Sequence, residues 1–254
     1  MTAARVIPVL QIFKDKAVKT IQFSSSQYIG DPINSVRLFS ELCADELVVM
    51  DIGAAKGSYP IQIELLSSLT SEAFMPFGYG GGVRNLNHAE KLFDLGIEKI
   101  LIRWRGNETA RLVEEISGLW GSQAVSVVVD YVDQKRFMSR SPLVHVRQQV
   151  VGLVKHIQDA GAGEIVIQSV DRDGTMTGYD LDLIRDVKNE SQVQLVALGG
   201  AGTRQDVSQA IQAGATGVAA GSLFVFRDIK KAVLINYPTE VELKSLNSLC
   251  GSEL

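Results

Sequence analysis

Eight short segments that are apolar on both faces recur along the chain and alternate with amphipathic helical patterns. Runs such as VIPVL, LVVM and VSVVV are typical of parallel strands buried on both sides. The predicted strands are Val6–Gln11, Glu46–Asp51, Met75–Tyr79, Lys99–Ile102, Val125–Asp130, Glu164–Ser169, Gln194–Leu198 and Gly217–Ala220. The predicted helices are Ile33–Ala44, Leu86–Leu95, Thr109–Leu119, Val146–Ala160, Leu181–Lys188 and Thr203–Ala213. This alternation predicts one α/β domain over residues 1–254, a (β/α)8 TIM barrel, with an open doubly wound sheet as the alternative.

An internal repeat favours the barrel. The segment YGGGVRNLNHAEKLFDLG, from Tyr79, aligns with LGGAGTRQDVSQAIQAG, from Leu198. Gly81 falls on Gly199 and Gly96 on Gly214, both at an offset of 118 (199 − 81 and 214 − 96). An offset of 119 places Val9-Leu10-Gln11 on Val128-Val129-Asp130. The chain therefore reads as two half-barrels of four strands each.

Charge, hydropathy and cysteine content exclude several classes of protein. A net charge of −4 argues against a general nucleic-acid partner. No apolar run approaches the roughly 18 residues of a membrane span, and the N-terminus does not read as a signal peptide. We therefore expect a soluble, cytoplasmic protein. Cys43 and Cys250 have neither metal-ligand nor disulfide-framework spacing, so we expect reduced thiols, no metal and no cofactor.

Glycine-rich turns follow the last two predicted strands. Gly199, Gly200 and Gly202 precede a predicted helix, and Gly221-Ser222 precede a short segment, Leu223–Phe226. Backbone amides at helix starts bind phosphate, and the loops after strands seven and eight are a common phosphate site in such barrels. We therefore predict a phosphate site here, and tight turns alone are the alternative.

The repeat predicts a second phosphate site in the first half of the chain. Gly81-Gly82 match the first glycine run, whereas Arg103-Trp104 stand where the second half has Gly221-Ser222. Arg103 could bind an anion, since a guanidinium forks onto phosphate or carboxylate, but Trp104 could fill the space. We expect altered or lost phosphate binding on this side.

One carboxylate and one amide occupy equivalent strand ends. Asp130 ends a wholly apolar strand and is predicted at the barrel mouth, where it could act as a general acid or base. A loop-capping aspartate is the alternative. The repeat partner of Asp130 is Gln11, which can hydrogen-bond a substrate but cannot transfer a proton near neutral pH.

Several motifs together resemble the cyclase subunit of imidazole glycerol phosphate synthase, and more distantly its sister isomerase of histidine biosynthesis. They are RVIPVL, DELVVMDI, GGGVRN, WGSQAVSVVVD, GAGEIVIQSVDRDGTMTGYD and LGGAG…AGSLFVFRD, from Arg5 to about Asp228. The resemblance implies the synthase half of a glutamine amidotransferase. A separate glutaminase subunit docks at the N-terminal face of the barrel, and its ammonia passes along the barrel axis to a phosphorylated substrate.

Carried over residue by residue, the resemblance is uneven at the substrate end. Asp130 matches one member of the family's pair of catalytic aspartates, and Gln11 replaces the other. The glycines of the first loop are Lys16 and Thr20, its serine after strand two is Ala55, and its asparagine-threonine pair is Arg103-Trp104. The threonine before Ser169 is Gln168. The retained substrate positions are Lys19, Asp51, Gly81, Gly82, Ser169, Asp173, Gly199, Gly200, Gly202, Gly221 and Ser222.

The opposite end of the barrel matches the family fully. Arg5, Glu46, Lys99 and Glu164 each precede or begin an apolar strand. Alone, they read as solvated strand starts with surface salt bridges of little energetic value. In the family these positions form the charged gate through which ammonia enters. Asp45 and Glu98, beside them, are expected to face the partner.

Three interpretations of function remain open. The first is an ammonia-conducting synthase subunit with a changed acceptor, as in diverged relatives that serve surface-polysaccharide formation. There the acceptor is a nucleotide-linked sugar, and a third, amidating protein is one arrangement that this interpretation allows. The second is a working cyclase of histidine biosynthesis. The third is a non-catalytic activator of a glutaminase, and each interpretation implies at least a heterodimer.

Overall fold

Eight parallel strands close into a barrel in the computed structural model, which describes residues 3–133, 144–227 and 232–248. In chain order the strands are β1 (Arg5–Phe13), β2 (Lys16–Thr20), β3 (Ser26–Gly30), β4 (Leu47–Asp51), β5 (Phe77–Gly80), β6 (Lys99–Arg103), β7 (Val125–Val132), β8 (His145–Val146), β9 (Glu164–Ser169), β10 (Gln194–Leu198), β11 (Gly217–Ala220), β12 (Phe226–Arg227) and β13 (Ala232–Val233). The barrel consists of β1, β4, β5, β6, β7, β9, β10 and β11, and β11 pairs with β1 to close it. The predicted (β/α)8 barrel is confirmed, and the open doubly wound sheet is wrong.

Helices cover the outside of the barrel. They are α1 (Pro32–Glu41), α2 (Ile52–Lys56), α3 (Ile63–Thr70), α4 (Leu86–Asp94), α5 (Asn107–Trp120), α6 (Arg147–Asp159), α7 (Leu181–Glu190), α8 (Arg204–Gln212), α9 (Ser222–Val225) and α10 (Glu240–Ser248). Asp31, Asn85, Asp180 and Thr203 cap four of these helices by accepting a hydrogen bond from a first-turn amide. Among the described helices, none is long and apolar enough to cross a membrane.

The two halves of the chain repeat in structure as they do in sequence. Helix α4 and helix α8 start and end at the same offset of 118 (204 − 86 and 212 − 94). Gly96 and Gly214 follow these helices with φ of +85° and +108°, a backbone conformation that favours glycine. The repeat therefore describes the barrel geometry and explains why equivalent strand ends face each other.

The segment after β1 differs from the expectation. The sequence predicted a strand ending at Gln11 followed by a lysine-bearing loop, whereas β1 continues to Phe13 and β2 and β3 form an antiparallel hairpin. The hairpin lies beyond the C-terminal end of β1, where the strands of the barrel open. It therefore contributes side chains to the barrel mouth.

Apolar side chains fill two separate layers. One layer lies between the strands and the helices, and Tyr79 and Phe39 are among its largest buried members. The second layer is the barrel interior, formed by Ile7, Val9, Val48, Leu101, Val128, Val166, Val196, Leu198 and Ala219. The interior is therefore an apolar column between the two ends of the barrel.

Candidate functional site

A closed ring of ion pairs occupies the N-terminal end of the barrel. Arg5 contacts both Glu46 and Glu164, while Lys99 Nζ lies 2.8 Å from Glu46 and 3.3 Å from Glu164. The two carboxylates are buried, with 3% and 5% of their surface exposed, so they are not solvated strand starts. The four residues therefore form one ring across the barrel axis.

Neighbouring polar groups hold this ring in place. Ser126 Oγ donates a hydrogen bond of 2.6 Å to Glu164 Oε1, and Arg5 also donates to Gln194 at 2.6 Å. Burial alone would raise the pKa of Glu164, but Lys99 and Arg5 outweigh burial and hold that pKa below its ordinary value. Glu164 is therefore a carboxylate at neutral pH.

A cavity of about 260 Å³ opens at the other end of the apolar column. Leu101 and Val128 belong to both the column and the cavity wall. Gln11, Asp51, Asp130, Gly81, Gly82 and Arg103 also line the cavity. The structure thus brings these predicted site residues together at the mouth.

Gln11 is buried and forms hydrogen bonds with Thr20 of the hairpin. Its Oε1 accepts hydrogen bonds from the backbone N–H of Thr20 at 2.9 Å and from Thr20 Oγ1 at 3.0 Å. Thr20 Oγ1 also lies 3.2 Å from Asp173 Oδ2. The Gln11 amide therefore anchors β2 over the barrel mouth.

Asp130 is fully buried at the cavity floor. Arg103 Nε approaches its Oδ2 to 2.6 Å, yet among the described residues neither carboxylate oxygen accepts an aligned hydrogen bond. Burial raises the pKa of Asp130 to about 6, although Arg103 opposes the shift and Asp173 adds to it. Asp130 could therefore take up or release a proton near neutral pH, but Arg103 occupies one side of it.

Asp51 ends β4 and caps α2. Its Oδ1 accepts hydrogen bonds from the amides of Gly53 and Ala54, at 3.0 and 2.9 Å, and from the Tyr59 hydroxyl at 2.8 Å. Burial raises its pKa despite these donors. Its Oδ2 is buried and accepts no hydrogen bond within the described parts of the chain. One oxygen is thus structural, and the other is available to a ligand.

The first glycine run packs closely against the α2 turn. A Cβ atom on Gly81 would lie 2.6 Å from the carbonyl oxygen of Asp51, and Gly81 has φ of +148°. Trp104 does not fill the cavity: it is 5% exposed and packs in the layer between barrel and helices. Arg103, not Trp104, therefore determines the chemistry of this side.

The second glycine run lies outside the cavity wall. Gly199, Gly200, Gly202, Gly221 and Ser222 are not among the residues that line the cavity. The amides of Gly202 and Thr203 donate to Asp206 Oδ2, at 2.9 and 2.8 Å. These N–H groups already have an internal carboxylate partner.

The Lys19 side chain extends from β2 of the hairpin to the second glycine run. Its Nζ donates to Asp173 Oδ1 at 2.9 Å and to the Thr20 carbonyl at 2.8 Å, and a Cβ on Gly221 would lie 3.0 Å from Lys19 Cε. Ser169 is buried at the end of β9, and the buried Ser222 begins α9. Lys19, Asp173 and Gly221 therefore form a cluster beside the cavity.

Some residues of the site were not found from the sequence. Phe23, at the hairpin tip, packs against Val170 and lies under the Arg103 guanidinium, 5.9 Å from its ring centre. Arg84 and Arg105 also line the cavity. The sequence signal that could have indicated them is a basic side chain close to a glycine run.

Cys43 and metal-ligand groups add nothing to the site within the described residues. Cys43 is an exposed free thiol, and Cys250 lies outside the described residues. Within residues 3–133, 144–227 and 232–248, no three His, Cys, Asp or Glu side chains are arranged to hold a metal ion.

Comparisons with known proteins agree with this architecture. The model of the family described as "Histidine biosynthesis protein" matches residues 5–230. The "Putative imidazole glycerol phosphate synthase subunit HisF" of Leptospira borgpetersenii is 40% identical over 97% of this chain and 99% of its own length. The "Putative imidazole glycerol phosphate synthase subunit hisF2" of Pseudomonas aeruginosa is 38% identical over 94% and 97% of the two chains. The "Imidazole glycerol phosphate synthase subunit HisF" of Exiguobacterium sibiricum is 32% identical over 88% and 91%. The chain therefore belongs to the histidine biosynthesis protein family, as a paralogue of the HisF-type synthase subunits.

Proposed function

We propose that the chain is the synthase subunit of a glutamine amidotransferase complex that receives ammonia from a separate glutaminase subunit and delivers it to a changed acceptor. The acceptor belongs to nucleotide-sugar or surface-polysaccharide amidation, not to histidine biosynthesis. The observation that carries the proposal is the contrast between the two ends of the barrel. A complete ring of ion pairs stands at one end, and a mouth that lacks one titratable acid stands at the other.

The apolar column suits neutral ammonia. Ammonia can cross a low-dielectric interior, whereas an ammonium ion would lose its hydration there at a large cost. The ring residues Glu46, Lys99, Glu164 and Arg5 pair with one another, so they close the column at its entrance. Opening the ring when a partner binds would couple ammonia entry to complex formation.

The mouth argues against the ring-closure reaction of histidine biosynthesis. That reaction uses two aspartates in the family. Here Gln11 stands at one of these positions, and its amide can neither donate nor accept a proton near neutral pH. Removing one proton-transfer group typically costs 10²–10⁴-fold in rate. The remaining acid, Asp130, also forms an ion pair with Arg103. The acid–base machinery is therefore altered at both of its positions.

Exposed apolar side chains surround the ring face and support a protein partner there. Leu42, Phe74 and Leu119 lie in or beside the helix-to-strand connections that reach β4, β5 and β7, and they are 41%, 86% and 64% exposed. In a (β/α)8 barrel these connections lie at the N-terminal ends of the strands. Phe74 is the most exposed of the three, so it is the residue on which we test a docking partner at this face.

The glutaminase test separates the interpretations. We expect the purified chain to bind a glutaminase subunit from the same genome and to raise its glutamine turnover. With free ammonium and the aminoimidazole-ribonucleotide precursor, we expect turnover at least 100-fold below that of a working cyclase. Near-normal cyclase turnover would favour histidine biosynthesis and defeat the proposal. Failure both to bind and to stimulate the glutaminase would also defeat it.

Phe74 provides a test of the docking face. Replacing Phe74 with alanine removes a largely exposed aromatic side chain, so we expect about tenfold weaker glutaminase binding with an unchanged melting temperature. Surface plasmon resonance measures the affinity. Tyr28→Ala is the matched control, because Tyr28 is an exposed aromatic residue (60%) on the hairpin at the opposite end of the barrel. Equal weakening in both variants would contradict the placement.

A further inference from the structure

Basic side chains without partners surround one side of the mouth cavity. Lys56, Arg84 and Arg105 line it, are exposed at its rim, and form no side-chain hydrogen bond or ion pair with another described residue. Arg103 lines the same wall and lies 2.6 Å from Asp130 through its Nε, but it donates no aligned side-chain hydrogen bond to another described residue. Glu108 is the opposing acid at the rim. The rim therefore carries a surplus of unused positive charge.

The cavity floor carries the complementary chemistry. Asp51 Oδ2 and both oxygens of Asp130 are buried and accept no aligned hydrogen bond among the residues described. Buried polar atoms left without partners are costly, and a ligand that brings O–H or N–H donors removes that cost. The floor therefore suits the hydroxyl groups of a sugar or the N–H groups of an amine.

The second glycine run lacks such free charge. Its nearby cation, Lys19, is bound to Asp173, and the amides of Gly202 and Thr203 are bound to Asp206. The two halves of the barrel are therefore unequal. The pattern of free side-chain charge fits a ligand with its negative charge concentrated at the first-half side of the mouth.

From this asymmetry we infer that the cavity binds a diphosphate group between Lys56, Arg84 and Arg105, with a hydroxyl-bearing ring over Asp51 and Asp130. Two linked phosphates carry more charge than a single phosphate and match several guanidinium and ammonium donors at once. The cavity of about 260 Å³ accommodates such a group and one ring, with the remainder of the ligand in solvent. This inference rests on the proposed function, because it names the chemical class of the acceptor.

The predicted consequence is preferential binding of inorganic pyrophosphate over orthophosphate. Isothermal titration calorimetry of the full chain at constant ionic strength should give at least tenfold tighter binding of pyrophosphate. Arg105→Ala should weaken pyrophosphate binding about tenfold, and Arg105→Lys should recover part of the loss. Arg111→Ala, on α5 shortly after Arg105, is the matched control, since Arg111 is exposed and does not line the cavity.

A second variant decides between the two halves of the barrel. Lys19→Ala should weaken pyrophosphate binding less than Arg105→Ala does, because Lys19 lies outside the cavity wall and is already paired with Asp173. Loss of binding in Lys19→Ala but not in Arg105→Ala would place the anion at the second glycine run and overturn the inference. Equal affinities for the two anions would overturn it as well. The titration needs no glutaminase, so its failure is distinguishable from failure of the glutaminase assay.

Discussion

Replacing Glu164 with alanine should lower the free energy of unfolding by about 3–5 kcal/mol, the usual cost of removing one partner from a buried ion pair. Glu164 is 5% exposed and receives contacts from Arg5, Lys99 and Ser126. Without it, two cations compete for Glu46 alone. Urea unfolding at pH 7, followed by circular dichroism, measures the difference.

The control and the pH dependence make this result specific to the ring. Glu98→Ala changes an exposed neighbour of Lys99 and should alter stability by less than about 0.5 kcal/mol. The pKa of Glu164 is depressed in the folded chain, so its contribution is present above its unfolded pKa, about 4.3, and is lost as the pH falls through the folded pKa. The gap between the two proteins should therefore narrow below about pH 4. A gap that persists unchanged to pH 3 would contradict the ionic origin.

The barrel could be predicted because its strands are buried on both faces. Runs such as VSVVV are buried on both faces, as parallel strands covered by helices are, and the internal repeat favoured a barrel over an open sheet. Helix ends were signalled by Gly96, Gly161 and Gly214, each with positive φ in the structure. Strand burial and helix termination both depend on nearby residues, so both could be predicted from the local sequence.

The hairpin could not be predicted because its turn, although rich in serine, has no glycine, proline, asparagine or aspartate. Gln22 and Phe23 lie near its tip with φ of +50° and +56°, a conformation for which glycine or asparagine is expected. Contacts from the Gln22 side chain to the Asp171 carbonyl, at 2.7 Å, and from Phe23 to Val170 stabilise the tip. These contacts are long-range and therefore absent from any local pattern. Helix α3 was missed for a related reason, since Gln62 at its start makes no side-chain capping hydrogen bond.

The site could be predicted as a set of strand ends but not as a set of contacts. The repeat placed Gln11 and Asp130 at equivalent positions, and both line the cavity. It could not show that Arg103 reaches Asp130, because side-chain direction at a strand end depends on the neighbouring hairpin. Arg103 lies between Asp130 and Phe23, so the guanidinium and the hairpin together determine the surroundings of the retained acid.

Replacing Asp130 with asparagine should stabilise the protein by about 2 kcal/mol at pH 7.5. A carboxyl with a pKa of about 6 in the folded chain and about 4 in the unfolded chain binds more protons when folded, so stability falls as the pH rises through that window. Above pH 6 the cost of the charged carboxylate approaches about 3 kcal/mol, and the attraction of Arg103 is already included in that figure. Thermal unfolding between pH 4.5 and 7.5 measures the change.

The difference between Asp130→Asn and the unchanged protein should fall below about 1 kcal/mol at pH 4.5, because Asp130 is then protonated in the folded chain and partly protonated in the unfolded chain. Asp182→Asn, on an exposed face of α7, should show no such trend. A variant that is less stable than the parent at pH 7.5 would show that the Arg103 ion pair outweighs the burial of the carboxylate. The stabilising result would instead mean that the chain retains a costly buried acid beside a cation. That cost is the expected mark of a functional group, so Asp130 would then retain a role in handling the acceptor or its proton even without a second acid at position 11.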